Sequence, residues 1–161
     1  MSTGALALKS ALRHLPHGPE FRFLDRLLTL DPGKSGAGEY KVRGDEPFLK
    51  GHFPGDPLMP GVLLIEACAQ LAGVIAQSDP AIAPLANMKL TAVRGAKILG
   101  TARTGETIRL EAEITGRMAG LVQARATASL GDNANGTVIL NVDVTLSGEG
   151  QETSNFNPQN S

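Results

Sequence analysis

The sequence predicts an α+β domain in which a curved antiparallel sheet wraps around one long central helix. Three observations carry this reading. Val62 to Ala76 is a run of apolar residues on almost every side of a helical wheel, broken by Glu66 and Gln70, which requires enclosure by protein on all faces. Three later segments alternate apolar and polar residues with period two, the pattern of half-buried antiparallel strands. The chain has 161 residues, 42% hydrophobic and 19% charged, which suits one domain with a real core and excludes a disordered polyelectrolyte.

The elements follow in order. Gly4 to Arg13 has helical character and ends before Leu15-Pro16. Phe21 to Leu30 reads as a strand, stopped by the turn Asp31-Pro32-Gly33, and Glu39 to Arg43 as a short strand with Tyr40 and Val42 on one face. Phe48 to Gly61 gathers Pro54, Pro57, Pro60, Gly51, Gly55 and Gly61 into a structured loop,. The helix follows, with Pro60 suited to its first turn because it has no N–H to leave unpaired, and ends near Gln77 to Pro80. Met88 to Val93 is a plausible strand. Thr107 to Thr115 places Ile108, Leu110, Ala112 and Ile114 on one side, and Val122 to Leu130 does the same with Ala124, Ala126 and Ala128. In the last strand Val138, Leu140, Val142, Val144 and Leu146 are expected to point inward. The turns between these strands are Arg117 to Gly120 and Gly131 to Gly136. Residues 1–147 are read as one domain and 148–161 as a polar tail without regular structure,. A sheet curled round one helix leaves an edge that a second subunit commonly covers, so a homodimer is expected.

Composition narrows the function. A net charge of -1 gives no basic field for nucleic acid. Aromatic residues are 4% with no Trp, so the core is aliphatic and rich in alanine. The single Cys68 excludes an internal disulfide and a cysteine-built zinc site, and fits a reducing compartment. Met1 to Ala11 lacks a basic front and a sustained apolar core, so a cytoplasmic protein is expected. The apolar run is shorter than the ~20 residues that span a bilayer, and Glu66 sits near its middle, where lipid penalises a carboxylate. No membrane association is expected.

The candidate chemistry centres on His52 and Glu66. His14 and His17 precede the first strand without ligand spacing and read as exposed histidines of an opening loop, so no metal site is expected. His52 lies in Gly51-His52-Phe53-Pro54-Gly55, just ahead of the helix. Glu66 lies on a helix that is otherwise nearly all apolar, where a carboxylate is rarely buried without a reason. Desolvation favours the neutral form of a carboxyl group and so makes it a proton donor; an ion pair with an arginine is the structural alternative. Gln70, four residues on, shares the face of Glu66 and either orients the carboxyl group or bonds to backbone. The helix starts at Gly61 with unpaired N–H groups able to hold a carbonyl oxygen that gains charge. Phe53 and Val62, beside His52 and Gly61, join Gly61 and Gln70 as expected substrate contacts. No phosphate loop, no serine elbow and no dinucleotide fingerprint is present, so no cofactor is expected. Cys68 has no adjacent base and is not expected to act as a nucleophile. An acid and a base without a nucleophile suit proton abstraction beside a carbonyl with loss or gain of water.

The stretch Gly51-His52-Phe53-Pro54-Gly55-Asp56-Pro57-Leu58-Met59-Pro60-Gly61 through Glu66 to Gln70 closely resembles the signature of the FabZ-type (3R)-hydroxyacyl-[acyl-carrier-protein] dehydratases of the hotdog fold. Upstream, Leu15-Pro16-His17, Phe23-Leu24-Asp25-Arg26, Pro32-Gly33-Lys34 and Glu46-Pro47-Phe48 extend the likeness to roughly residues 13 to 147. The resemblance implies a dimer, often assembled as a trimer of dimers, with His52 of one chain meeting Glu66 of the other. It implies that His52 removes the α-proton while Glu66, with Gln70 bound, helps the β-hydroxyl leave as water. The N–H of Gly61 would hold the thioester oxygen, and the acyl chain would enter an apolar tunnel beside the helix. The partner it implies is an acyl carrier protein, which Lys89, Arg94, Lys97 and Arg103 would meet electrostatically. Related FabA-type enzymes carry Asp where this chain has Glu66, which favours the FabZ type.

One segment departs from the family. Gly95 to Glu106 lacks an aromatic and a proline usual there, a change expected to affect the tunnel or the carrier-docking edge and to leave proton chemistry alone. Acyl length and pathway, primary or specialised, are left open by this change. The rival readings are a hotdog thioesterase, which activates water with a carboxylate, and a non-catalytic acyl-binding hotdog domain.

Overall fold

The long apolar helix sits where its sequence requires, inside the curve of a six-stranded antiparallel sheet. A computed structural model describes residues 3–131 and 135–150. Helix α1 spans Thr3–Ala11, β1 Arg26–Asp31, β2 Ser35–Lys41, α2 Gly61–Gln77, β3 Ala86–Ile98, β4 Thr107–Met118, β5 Leu121–Leu130 and β6 Thr137–Glu149. The strand order is β1-β2-β4-β5-β6-β3, every neighbouring pair antiparallel.

Helix α2 packs with both small and large apolar residues of its wheel. Leu64, Ala67, Cys68, Leu71, Ala72 and Ile75 are wholly buried, and Ala124, Ala126 and Ala128 of β5 face the same core. Alanine opposite alanine lets the sheet curl close to the helix axis, and the long side chains Leu110, Leu140 and Ile108 fill the remaining space,. Each fully buried leucine or isoleucine contributes about 1.5–3 kcal/mol through removal from water. Burial also pushes the Cys68 thiol up to about 12, which leaves it inert as a nucleophile.

The strands differ from the sequence expectation at several places, most of them with a physical cause. Phe21 to Asp25 is not part of a strand: a short 3-10 turn covers Pro19–Phe21 and β1 begins at Arg26. The backbone of this stretch is bound by a helix side chain, since Gln70 accepts from the Phe23 N–H at 2.8 Å and donates to the Phe21 carbonyl at 2.9 Å. Strand β2 starts earlier than Glu39, at Ser35. Gly36 and Gly38 conceal it in the sequence, yet both are needed: an added Cβ would lie 2.5 Å from Leu24 at Gly38 and 3.2 Å from Ile75 at Gly36. Strand β3 is twice the expected length, because three register shifts along its pairing with β6 break the alternation,.

In β6, Val138 points outward at 40% exposure and Ile139 takes the core position. A register shift between Ala128 and Ser129 of β5 leaves Ile139 opposite no partner and flips the alternation there,. β6 runs on through Gly148 to Glu149, so the strand includes the first residues assigned to the tail. Residues 151–161 and Asp132 to Ala134 of the last turn lie outside the described residues. Among the described residues no helix is long and apolar enough to cross a membrane, and no cluster of His, Cys, Asp or Glu has the makings of a metal site.

Candidate active site

Helix α2 starts immediately after the proline-rich loop because Pro60 sits at its N-cap, one residue ahead of the helical turn. The Pro60 carbonyl accepts from Leu63 and Leu64, which leaves the N–H groups of Gly61 and Val62 outside the helix ladder at the positive end of the dipole. Gly61 lies in close approach to a neighbouring side chain. A Cβ there would stand 2.6 Å from Ile98 at the end of β3, so Ile98 roofs the helix start.

The His52 ring makes one hydrogen bond among the described residues. Its Nδ1 lies 3.1 Å from the Leu58 carbonyl, a partner that accepts only, so Nδ1 carries the proton and Nε2 is the free basic nitrogen. The ring stacks on Phe53 at 4.1 Å, and the peptide between the two residues is cis. Phe53 is 51% and Val62 67% exposed, two large apolar groups on the rim of the site.

The 95–106 segment bears directly on this loop. Met59 donates its N–H to the Ala102 carbonyl at 2.8 Å. Leu58 forms a bridge with Arg103, and the Arg103 guanidinium pairs with Asp56. Leu58 is the residue whose carbonyl orients His52. The altered segment therefore braces the histidine's anchor. Arg103 is thus engaged with the loop, whereas Lys89, Arg94 and Lys97 lie exposed along β3.

On the other side, Gln70 combines the two roles the sequence left open. Besides its bonds to Phe21 and Phe23, its Nε2 donates to Glu66 Oε1 at 3.2 Å. Gln70 is 3% exposed, so its amide is fixed from both ends. Glu66 is half-buried in the single chain, its side chain 19% exposed. Among the described residues no arginine pairs with it; His17 Nε2 lies 3.2 Å from Oε1. His17 is thus a site residue and not an exposed loop histidine. The sequence signal was available in Leu15-Pro16-His17, but nothing local ties that loop to a helix turn some fifty residues away.

Glu66, Gln70 and His17 line a cavity of about 630 Å³ together with Ala69, Gly73, Val74 and Gln77 of α2 and Leu15, Asn87, Met88, Lys89, Leu90 and Leu146. His52 does not line it. A second cleft of about 550 Å³ on the outside of the sheet is flanked by Arg109, Glu111, Glu113 and Arg125 and contains neither candidate acid nor base.

Residues 15–143 match the FabA-like domain family. The chain belongs to the FabA-like family. It is 36% identical over 127 residues to the 3-hydroxyacyl-[acyl-carrier-protein] dehydratase FabZ of Chloroflexus aggregans, covering 79% of this chain and 88% of that protein. The FabZ of Thermoanaerobacter sp. is 34% identical over 87% of this chain and 98% of its own length. Among solved structures, the dehydratase heterocomplex ApeI:P from Xenorhabdus doucetiae superposes with a TM-score of 0.71 at 18% identity, over 88% of this chain and 91% of that one. A hypothetical thioesterase from Streptococcus pneumoniae with coenzyme A superposes at 0.58 with 11% identity, over 78% and 85%. These likenesses show a shared hotdog fold.

Proposed function

We propose that this FabA-like chain is a hydro-lyase that converts (3R)-hydroxyacyl-[acyl-carrier-protein] into the trans-2-enoyl thioester. The observation that supports this most is the division of labour between two groups: His52 with Nε2 free, and a Glu66 carboxyl pinned by Gln70 on the wall of the cavity beside α2. His52 Nε2 takes a proton from C2, the C2–C3 double bond forms, and Glu66 gives a proton to the C3 hydroxyl, which departs as water. The N–H at Gly61 stabilises the thioester oxygen as it gains charge. A proton then returns from His52 to Glu66 to reset the site. The acyl chain lies in the cavity beside α2, with Phe53 and Val62 closing over its thioester end.

The working unit is a homodimer. Within one chain Glu66 lines the cavity beside α2 and His52 does not, and the long edge strand β3 and the residue after it leave Val93, Ile98 and Leu99 exposed, an edge suited to pairing with a second copy. His52 of one subunit then meets Glu66 of its partner. Lys89, Arg94 and Lys97, on that same strand, would receive the acidic carrier protein.

Purified protein is expected to hydrate a crotonyl thioester reversibly, read as loss of enoyl absorbance. His52→Ala and Glu66→Ala each abolish this, with rates reduced at least about 10²-fold and the dimer intact. Release of free thiol without hydration would identify a thioesterase instead, and unchanged rates in either variant would remove that residue from the mechanism.

A further inference from the structure

We infer that His17 is the positioning residue of the acid side of the site, fixing which oxygen of Glu66 delivers the proton; this rests on the dehydratase reading above. Two donors converge on one carboxylate oxygen. His17 Nε2 and Gln70 Nε2 each lie 3.2 Å from Glu66 Oε1. With Oε1 holding both bonds, Oε2 is left to carry the proton to the departing hydroxyl. The orientation is built from two directions, since Gln70 is anchored to the backbone of Phe21 and Phe23 and His17 lies in the loop just before them.

The ring is held there for that bond and not for its fit. His17 Nδ1 is buried with no hydrogen-bond partner, a cost that a stability-driven position would avoid. The ring's other contact is a tilted one with Phe21, centroids 6.0 Å apart. Of the charged groups nearby, Arg22 donates to the His17 carbonyl at 3.0 Å, and His14 and Lys89 line the same cavity; Glu66 is the group bonded to the ring. His17 and Glu66 belong to one chain, so this half of the site is assembled before any second subunit arrives.

Steady-state kinetics on the full chain with a crotonyl thioester tests this. His17→Ala is expected to lower kcat roughly ten- to a hundredfold with KM nearly unchanged. His17→Gln, whose amide N–H reaches about as far as the imidazole Nε2, restores most of the loss, and His17→Phe does not. An independent reading needs no activity: the 15N resonance of His17 Nε2 should shift when Glu66 becomes Gln. Wild-type kcat in His17→Ala overturns the inference, as does a loss that comes with a matching rise in KM and is not rescued by Gln. A wild-type chain without dehydratase activity, in which His17 still responds to Glu66→Gln, overturns the functional reading while leaving the pairing in place.

Discussion

At the residue scale, a few polar groups placed among apolar ones set both stability and chemistry. Gln70 is the clearest case, because one amide holds three groups from two parts of the chain. Gln70→Ala should cost about 1–3 kcal/mol by leaving the Phe23 N–H and the Phe21 carbonyl unpaired. It should also lower kcat by about 10²-fold as Glu66 loses its orientation. Denaturant melts and steady-state kinetics on the same sample check both. Glu46 is a second case, remote from the site. Burial pushes its carboxyl up, but the N–H groups of Arg43 and Gly44 and the Tyr40 hydroxyl outweigh burial and hold it below the ordinary carboxylate range. A carboxyl depressed in the folded state stabilises fully above its unfolded value and loses that contribution as the pH falls through its folded value. Thermal melts from neutral to acid pH should therefore show a steeper loss for the wild type than for Glu46→Gln, which starts lower and falls less.

At the element scale, the contrast between legible and hidden features has a simple cause. Period-two alternation in β4 and β5 and the apolar run of α2 are local patterns, and the structure reproduces both closely. β2 was hidden by glycines that exist because Leu24 and Ile75 press on the strand, and β3 by register shifts. Neither leaves a local pattern. His52, Glu66, Gln70 and Gly61 were legible because they fall in one twenty-residue motif, whereas His17 and the brace at Ala102 and Arg103 join the site through contacts of long sequence separation. That brace makes a separate prediction. Arg103→Ala should change stability by no more than about 1 kcal/mol, as for most exposed ion pairs. It should lower kcat roughly tenfold by loosening Leu58, the anchor of His52, and melting curves beside kinetics distinguish the two effects.

At the scale of the whole molecule, the proposed site is one completed by a second subunit. In that proposal one chain supplies a base in the proline-rich loop and an acid, with its two donors, on the wall of the cavity beside α2. Among the described residues the edge strand β3 pairs only with β6, and it ends in Ile98 over the helix start, so the proposed dimer edge and the candidate oxyanion site share a residue. Mixing subunits tests this most directly. His52→Ala and Glu66→Ala proteins, each inactive, are unfolded together, refolded and assayed for hydration of a crotonyl thioester. A two-chain site predicts recovery of about a quarter of wild-type activity, since about half of the dimers are mixed and each mixed dimer restores one of its two sites. No recovery, with mixed dimers verified by mass, would contradict it.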